Sequence, residues 1–261
     1  MKILFVGDVY AKPGRRAAAF FIPQLMETHG VDFCIVNGEN SAGGFGITEK
    51  IGKKFHAYGA DVITTGNHVW DQKDSLSYIQ SGDRVLRPAN YPDEVGGMGA
   101  GVFESRGGIL VGVVSLQGRT NMLDLDCPFR LGEKIVEKMR EKTPIIVVDF
   151  HAEATSEKIA MGWFMDGKVS AVLGTHTHVQ TADEQVLPQG TAYITDAGMT
   201  GPHDSVIGAE KGAAVGRFVN RMPVRFEPAS GDVKLCGVLM DIDETTGKAQ
   251  HIERLRLNLE E

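Results

Sequence analysis

Eight residues able to bind metals or move protons follow directly on short apolar runs. Lys2–Gly7 leads into Asp8, Cys34–Gly38 into Glu39 and Asn40, and Val62–Gly66 into Asn67 and His68. Ile145–Phe150 leads into His151, and Val172–Thr175 into His176 and His178, with Thr177 between them. The set offers oxygen and nitrogen but no thiolate. That chemistry suits manganese, iron or zinc in a reactive site and argues against a sulfur-rich structural zinc. Eight positions are too many for one ion and suit two. A metal pair roughly 3.5–4 Å apart clamps both oxygens of a phosphoryl displacement. Two dications against two carboxylates leave the site at about +2, which favours an anionic substrate, phosphate above all. Taken singly, Asp8, Glu39-Asn40, Asn67-His68 and the His-Thr-His step are also compatible with turns or exposed strand edges. Their joint occurrence at five strand ends carries the reading.

Positioning these residues takes parallel strands, because ligands in α/β sheets bind in the crevice outside the carboxyl ends. Strands are expected at Lys2–Gly7, Asp32–Asn37, Asp61–Thr65, Ile109–Leu116, Ile145–Phe150 and Val169–Leu173. Helices are expected at Pro13–His29, Thr48–Tyr58, Asp71–Gln80, Leu131–Glu141 and Ser156–Phe164. Gly30 and Gly59 should stop the first two helices, Thr48 should cap the second, and Pro23 should kink or divide the first. This alternation predicts βαβ units and a mainly parallel sheet. The last third differs, with strands expected at Thr191–Thr195, Val224–Phe226, Leu235–Asp241 and His251–Leu257 and a helix at Lys211–Arg221. It predicts a second, mixed sheet packed on the first. No linker, low-complexity tract or repeat interrupts the chain, so residues 1–261 are expected to form one domain.

The 261 residues carry 27 Lys+Arg against 34 Asp+Glu, a net charge of −7. That balance argues against a protein that grips long nucleic acid by charge neutralisation, and leaves room for a small nucleotide held at a cation. Cys34, Cys127 and Cys236 are odd in number, with no metal-finger spacing, and are expected to be reduced thiols. A charge at Asp8 comes too soon for a secretory apolar region, and no run approaches the ~18 residues of a membrane helix. The expectation is a cytoplasmic protein with no membrane partner; a homo-oligomer is compatible with the sequence. Among weaker signals, Gly43-Gly44-Phe45-Gly46 reads as a loop passing close to Glu39, and Gly96–Gly101 as a turn-rich loop. Arg119 suits a phosphate contact or a salt bridge equally, and His203-Asp204-Ser205 has the residue types of a hydrolase triad without its usual spacing. Amidohydrolases also combine His-x-His with Asp, but place the His pair first and the Asp late, the reverse of the order here.

At Gly7-Asp8, Gly38-Glu39, Gly66-Asn67-His68, His151 and Gly174–His178 the chain resembles the calcineurin-like metallophosphoesterases. Tyr10 stands where that superfamily usually has a metal-binding His, Glu39 replaces its bridging Asp, and Thr175 separates Gly174 from the first His of the last block. Together with NGENSAGGFGIT, TTGNHVWD, RPANYP, HAEATSEKIAMGWF and GTHTHVQTAD, these departures resemble the YmdB-like branch over nearly the whole chain. The resemblance implies a four-layer α/β/β/α sandwich, two mixed sheets flanked by helices. It also implies a dinuclear centre of divalent or trivalent ions, with iron foremost and manganese or zinc as alternatives. The implied activity is phosphodiester hydrolysis of small cyclic nucleotides of the 2′,3′ type. Carried over, Asp8, Glu39, Asn40 and His178 hold one metal, and Glu39, Asn67, His151 and His176 the other. Asn40 then supplies what position 10 lacks. His68 is the general acid, and a metal-bridging hydroxide the nucleophile. A metal-loaded regulatory module with incidental phosphoesterase activity is the competing expectation.

Overall fold

In a computed structural model, which describes residues 1–82 and 84–260, the chain forms two mixed sheets flanked by helices. Its first half runs β1 (Lys2–Val6), α1 (Ala11–His29), β2 (Phe33–Asn37), α2 (Glu49–Tyr58), β3 (Val62–Thr64), α3 (Ser75–Gln80) and β4 (Val85–Leu86). Next come β5 (Ala100–Glu104), β6 (Leu110–Gln117), α4 (Pro128–Arg140), β7 (Ile146–His151), α5 (Thr155–Met165) and β8 (Ala171–Thr175). The chain ends with β9 (Gln185–Val186), β10 (Ala192–Ile194), β11 (Gly201–Pro202), α6 (Lys211–Asn220), β12 (Val233–Ile242) and β13 (Ala249–Asn258).

One sheet has the order β11-β12-β1-β2-β3-β4, with β13 also paired to β12; the other runs β5-β6-β7-β8-β10-β9. Strands β1 to β4 are parallel, as are β6, β7, β8 and β10. Alternation along each strand sorts side chains into layers. Ile3, Phe5, Phe33 and Ile35 meet Val111, Val113, Val147 and Leu173 between the sheets. Leu4, Val6, Cys34 and Val36 face Ala18, Phe21 and Ile22 of α1 and Phe55 of α2. On the far side, Val114, Leu116 and Val148 pack on Val136 and Met139 of α4 and Met161 and Met165 of α5. The result is the expected α/β/β/α stack.

Several local expectations need correction. The last third does not build its own sheet: β12 pairs antiparallel with β1, from Lys2↔Asp241 to Val6↔Gly237, while β10 joins the other sheet beside β8. Long antiparallel β12 completes an edge that β1 would otherwise leave open. Helix α1 runs through Pro23 undivided. Pro23 lies on the exposed face, where the carbonyl it leaves unpaired is near solvent, and buried Ala18, Phe21, Ile22 and Leu25 hold the helix on its sheet. Val224–Phe226 is not a strand; its first two residues are exposed and no ladder is available to it. The expected Asp71–Gln80 helix shrinks to Ser75–Gln80, and Gly96–Gly101 is a loop only until Ala100 enters β5. Thr48 holds the N-cap position of α2 without a side-chain cap bond. Gly30 and Gly59 end their helices in left-handed conformation as expected. Among the described residues no helix is long and apolar enough to cross a membrane.

Candidate metal centre

The strand ends that carry the expected ligands come from both sheets, β1, β2 and β3 from one and β7 and β8 from the other, and they converge at one edge of the sandwich. Asp8 and Glu39 are fully buried just beyond β1 and β2, and His151, the last residue of β7, is also fully buried. Gly66 makes this convergence possible. A Cβ there would lie 2.2 Å from the His151 ring and 2.3 Å from Glu39 Oε2, so only glycine lets the β3 turn pass. His176 and His178 both have positive φ, 101° and 65°. The His-Thr-His segment is therefore a strained turn, not the extended strand edge that would set both rings on one face.

That turn is held from behind. Asp196 Oδ2 accepts from Thr177 N (3.1 Å), Thr177 Oγ1 (2.7 Å) and Lys158 Nζ (2.6 Å), and both members of the Lys158–Asp196 pair are buried. With Thr177 pinned, the flanking rings diverge. His176 Nδ1 reaches His151 Nε2 at 3.0 Å, while His178 Nε2 lies 3.0 Å from Asn40 Nδ2.

Four acceptor-type atoms crowd one point. His151 Nε2 is 2.9 Å from Asn67 Oδ1, 3.1 Å from Glu39 Oε1 and 3.0 Å from His176 Nδ1. Glu39, His151 and His176 each offer a ligand atom within 4.8 Å of the others. One ring N–H cannot serve three acceptors, but a cation can. Asp8 accepts the His176 backbone N–H at Oδ2 (3.0 Å), yet its buried Oδ1 has no hydrogen-bond partner among the described residues and only His151 Nδ1 at 3.9 Å. Asn40 Nδ2 bridges Glu39 Oε1 and His178 Nε2, 3.0 Å from each. Each imidazole also has a partner for its outward nitrogen: Thr175 Oγ1 for His151 (2.9 Å), Glu153 for His176 (3.1 Å) and the Ile207 carbonyl for His178 (2.8 Å). Metal-ligating histidines are oriented in this way. The donor set fits cations.

Without a cation the charges compensate one another. Burial works to raise the Glu39 carboxyl, but the charge and hydrogen bond of His151, with His68 and His176 behind, hold it down at about 2. Burial opposes charge on His151, but Glu39, Asp8 and Asp149 overcome it and raise the imidazole to about 9. Burial and the neighbouring His151 charge lower His176 to about 3. Burial raises Asp8 to about 6 against the pull of His178 and His151.

His68 stands apart from this cluster. Its Nδ1 meets Asp71 Oδ2 at 2.7 Å, its backbone N–H reaches Glu39 Oε2 at 3.3 Å, and its ring packs edge-on against Phe45 (5.0 Å between centroids). Above lies a cleft of about 390 Å³ with Glu39, Asn40, His68, His176 and His178 among its lining and an apolar wall that includes Phe45, Ile207, Phe218 and Phe226. Asp8 and His151 are fully buried and, like half-buried Asn67, are not part of this lining.

Sequence reasoning missed the supports: Asp71, Glu153, Asp149 and Asp196. Asp71 and Glu153 had a signal, lying three residues after His68 and two after His151; Asp196 had none. Tyr10, at the position of the superfamily's usual His, packs its ring on His178 at 5.6 Å and occupies space that a Cβ on Gly44 would take. Arg119 is not among the cleft-lining residues, and its backbone N–H bonds Glu157. His203, Asp204 and Ser205 form no triad: their side chains bond the Gly201 carbonyl, Lys211 and the Pro202 carbonyl respectively.

Comparison with known proteins identifies relatives along the whole chain. The family described as YmdB-like protein matches residues 4–255. A Bacillus subtilis (strain 168) protein named 2′,3′-cyclic-nucleotide 2′-phosphodiesterase is 48% identical over 99% of this chain and 97% of its own. The crystal structure of a novel phosphatase from Mycoplasma pneumoniae superposes with a TM-score of 0.93 at 35% identity, covering 99% of this chain and 93% of that one. A hypothetical protein from Thermus thermophilus gives a TM-score of 0.92 at 38% identity, covering 99% of both chains.

Proposed function

This chain belongs to the YmdB-like protein family, and on that premise we propose that it is a metal-dependent phosphodiesterase of small cyclic nucleotides of the 2′,3′ type. The observation that carries the reading is the meeting of Glu39, His151 and His176 ligand atoms within 4.8 Å beneath the cleft. Asp8, Glu39, Asn40 and His178 would hold one ion, and Glu39, Asn67, His151 and His176 the second, with Glu39 shared. Iron is the first candidate, manganese and zinc the others; all accept this ligand set. When bound, such ions lower the pKa of water and polarise phosphoryl oxygens. We take residues 1–261 as one domain serving one site. Free Cys34, Cys127 and Cys236 suit a reducing cytoplasm.

The chain's own groups do the rest. Asp71 holds His68 through Nδ1, which leaves Nε2 to deliver a proton to the departing ribose oxygen. Phe45, Ile207, Phe218 and Phe226 offer the nucleobase an apolar wall while the phosphate sits over the ligand cluster. The Bacillus relative's name specifies the 2′ bond; the same regiochemistry here expels O2′ and leaves a 3′-nucleotide. The test is hydrolysis of 2′,3′-cyclic AMP by iron-, manganese- or zinc-loaded protein, with products resolved by chromatography. We expect metal-dependent turnover to 3′-AMP. Equal turnover by chelator-treated, metal-free protein would sink the reading, and no turnover with any metal would leave the regulatory module in its place.

A further inference from the structure

Between the two sheets lies a carboxylate that touches none of the proposed ligands except through other side chains. Asp149 is fully buried on β7, two residues before His151 and hence on the same face of the strand. Three side chains donate to it. Asn37 Nδ2 (2.9 Å) and Thr64 Oγ1 (2.5 Å) reach Oδ2, and Thr175 Oγ1 (2.7 Å) reaches Oδ1. These donors stand on β2, β3 and β8, so one carboxylate ties three ligand-bearing strands to a fourth, across both sheets. Asn37 extends the tie, since its Oδ1 accepts the backbone N–H of Glu39 at 3.2 Å.

We propose that Asp149 is a positioning residue that sets the tautomer of His151 through Thr175 and thereby aims the His151 Nε2 lone pair at the metal centre. The Thr175 hydroxyl proton is committed to Asp149. Its oxygen therefore presents a lone pair to His151 Nδ1, 2.9 Å away, and Nδ1 must donate. With a cation bound, His151 then keeps its proton on Nδ1 and turns the lone pair of Nε2 to the point it shares with Asn67 Oδ1, Glu39 Oε1 and His176 Nδ1. A ring in the other tautomer would place N–H where a ligand atom belongs. The inference rests on the metal-centre reading, since without a cation His151 Nε2 donates to Glu39 Oε1; the Asp149–Thr175–His151 chain of bonds does not depend on it.

Asp149→Asn separates this role from simple packing because it is nearly isosteric. Its one remaining oxygen is claimed by Asn37 and Thr64, so its NH2 faces Thr175 and donates. The Thr175 hydroxyl then turns its proton toward His151 Nδ1, and the imidazole proton moves to Nε2. Two readouts follow. In Zn2+-loaded protein, 15N-histidine NMR should find His151 protonated on Nδ1 with Nε2 bound to metal in wild type and Thr175→Ser, and Nε2 protonated and unbound in Asp149→Asn. After loading with Mn2+, Asp149→Asn should bind the ion about 10–100-fold more weakly at one site, with wild-type circular dichroism. A folded Asp149→Asn with the wild-type tautomer and two tightly held Mn2+ overturns the proposal. If that variant does not fold, Thr175→Val decides, since it keeps the Asn37 and Thr64 bonds. Mixed His151 tautomers with Mn2+ affinity at least about tenfold weaker support the proposal, and unchanged values overturn it. Wild-type protein that takes up no metal would instead defeat the metal-centre reading and this inference with it, whereas equal metal uptake by wild type and Asp149→Asn would defeat this inference alone.

Discussion

Asn67 and His68 are neighbours in sequence, and the proposed function gives them separate tasks. Asn67 turns its carbonyl oxygen to the ligand cluster, while His68 is braced by Asp71 at the edge of the cleft. His68→Ala should therefore lower kcat by about 10²–10⁴ and leave the metal content, read by elemental analysis, unchanged. His151→Ala should lose both metal and activity. Equal metal loss in the two variants would contradict this division of labour. The titration of the ligands gives a second expectation. His151, raised to about 9, must shed a proton to bind a cation, whereas His176, lowered to about 3, is already neutral at ordinary pH. Metal affinity of the metal-free protein should thus rise about tenfold per pH unit up to pH 9 and then level off. Below about pH 6 the dependence should steepen, because Asp8 protonates as well. Calorimetry in buffers of different ionisation enthalpy measures the released protons; a pH-independent affinity between 6 and 9 would refute the assignment.

At the scale of elements, the turn after β8 is the most constrained part of the site. Two non-glycine residues with positive φ flank Thr177, whose backbone and hydroxyl are both held by buried Asp196. Lys158 of α5 is the partner that makes that buried carboxylate tolerable. Removing one member of a buried pair leaves the other uncompensated, so Lys158→Met should cost about 3–5 kcal/mol. For a chain of this size that is a fall of roughly 6–20 °C in Tm by calorimetry. The replacement of both members, Lys158→Met with Asp196→Leu, should recover part of the stability but not the activity, because Thr177 is then unheld. Activity equal to wild type in the double variant would show that the turn needs no such support. This pair was not legible in the sequence. Position 158 reads as one more charge on an amphipathic helix, and position 196 lies in a stretch with no metal-ligand spacing.

Across the whole molecule, three apolar layers pack without help from the site: between the sheets, under α1 to α3, and under α4 and α5. A core of that extent does not depend on metal to fold. Chelation should accordingly abolish turnover, keep the far-ultraviolet circular dichroism and lower Tm only by the binding energy lost; unfolding on chelation would assign the metals a structural role instead. What the amino-acid order determined by itself was the set of parallel strands and the chemistry at their ends, because hydrophobic period, helix stops and residue type are local properties. Asp8, Glu39, Asn67, His151 and His176 could be picked out for that reason. Only tertiary structure decided that β12 enters the first sheet beside β1, that the His-Thr-His segment is a turn, and that Asp149 and Asp196 stand behind the ligands. Those facts depend on which distant groups share a buried space, where an unpaired carboxylate or strand edge is too costly to leave, and one-dimensional spacing carries no record of that.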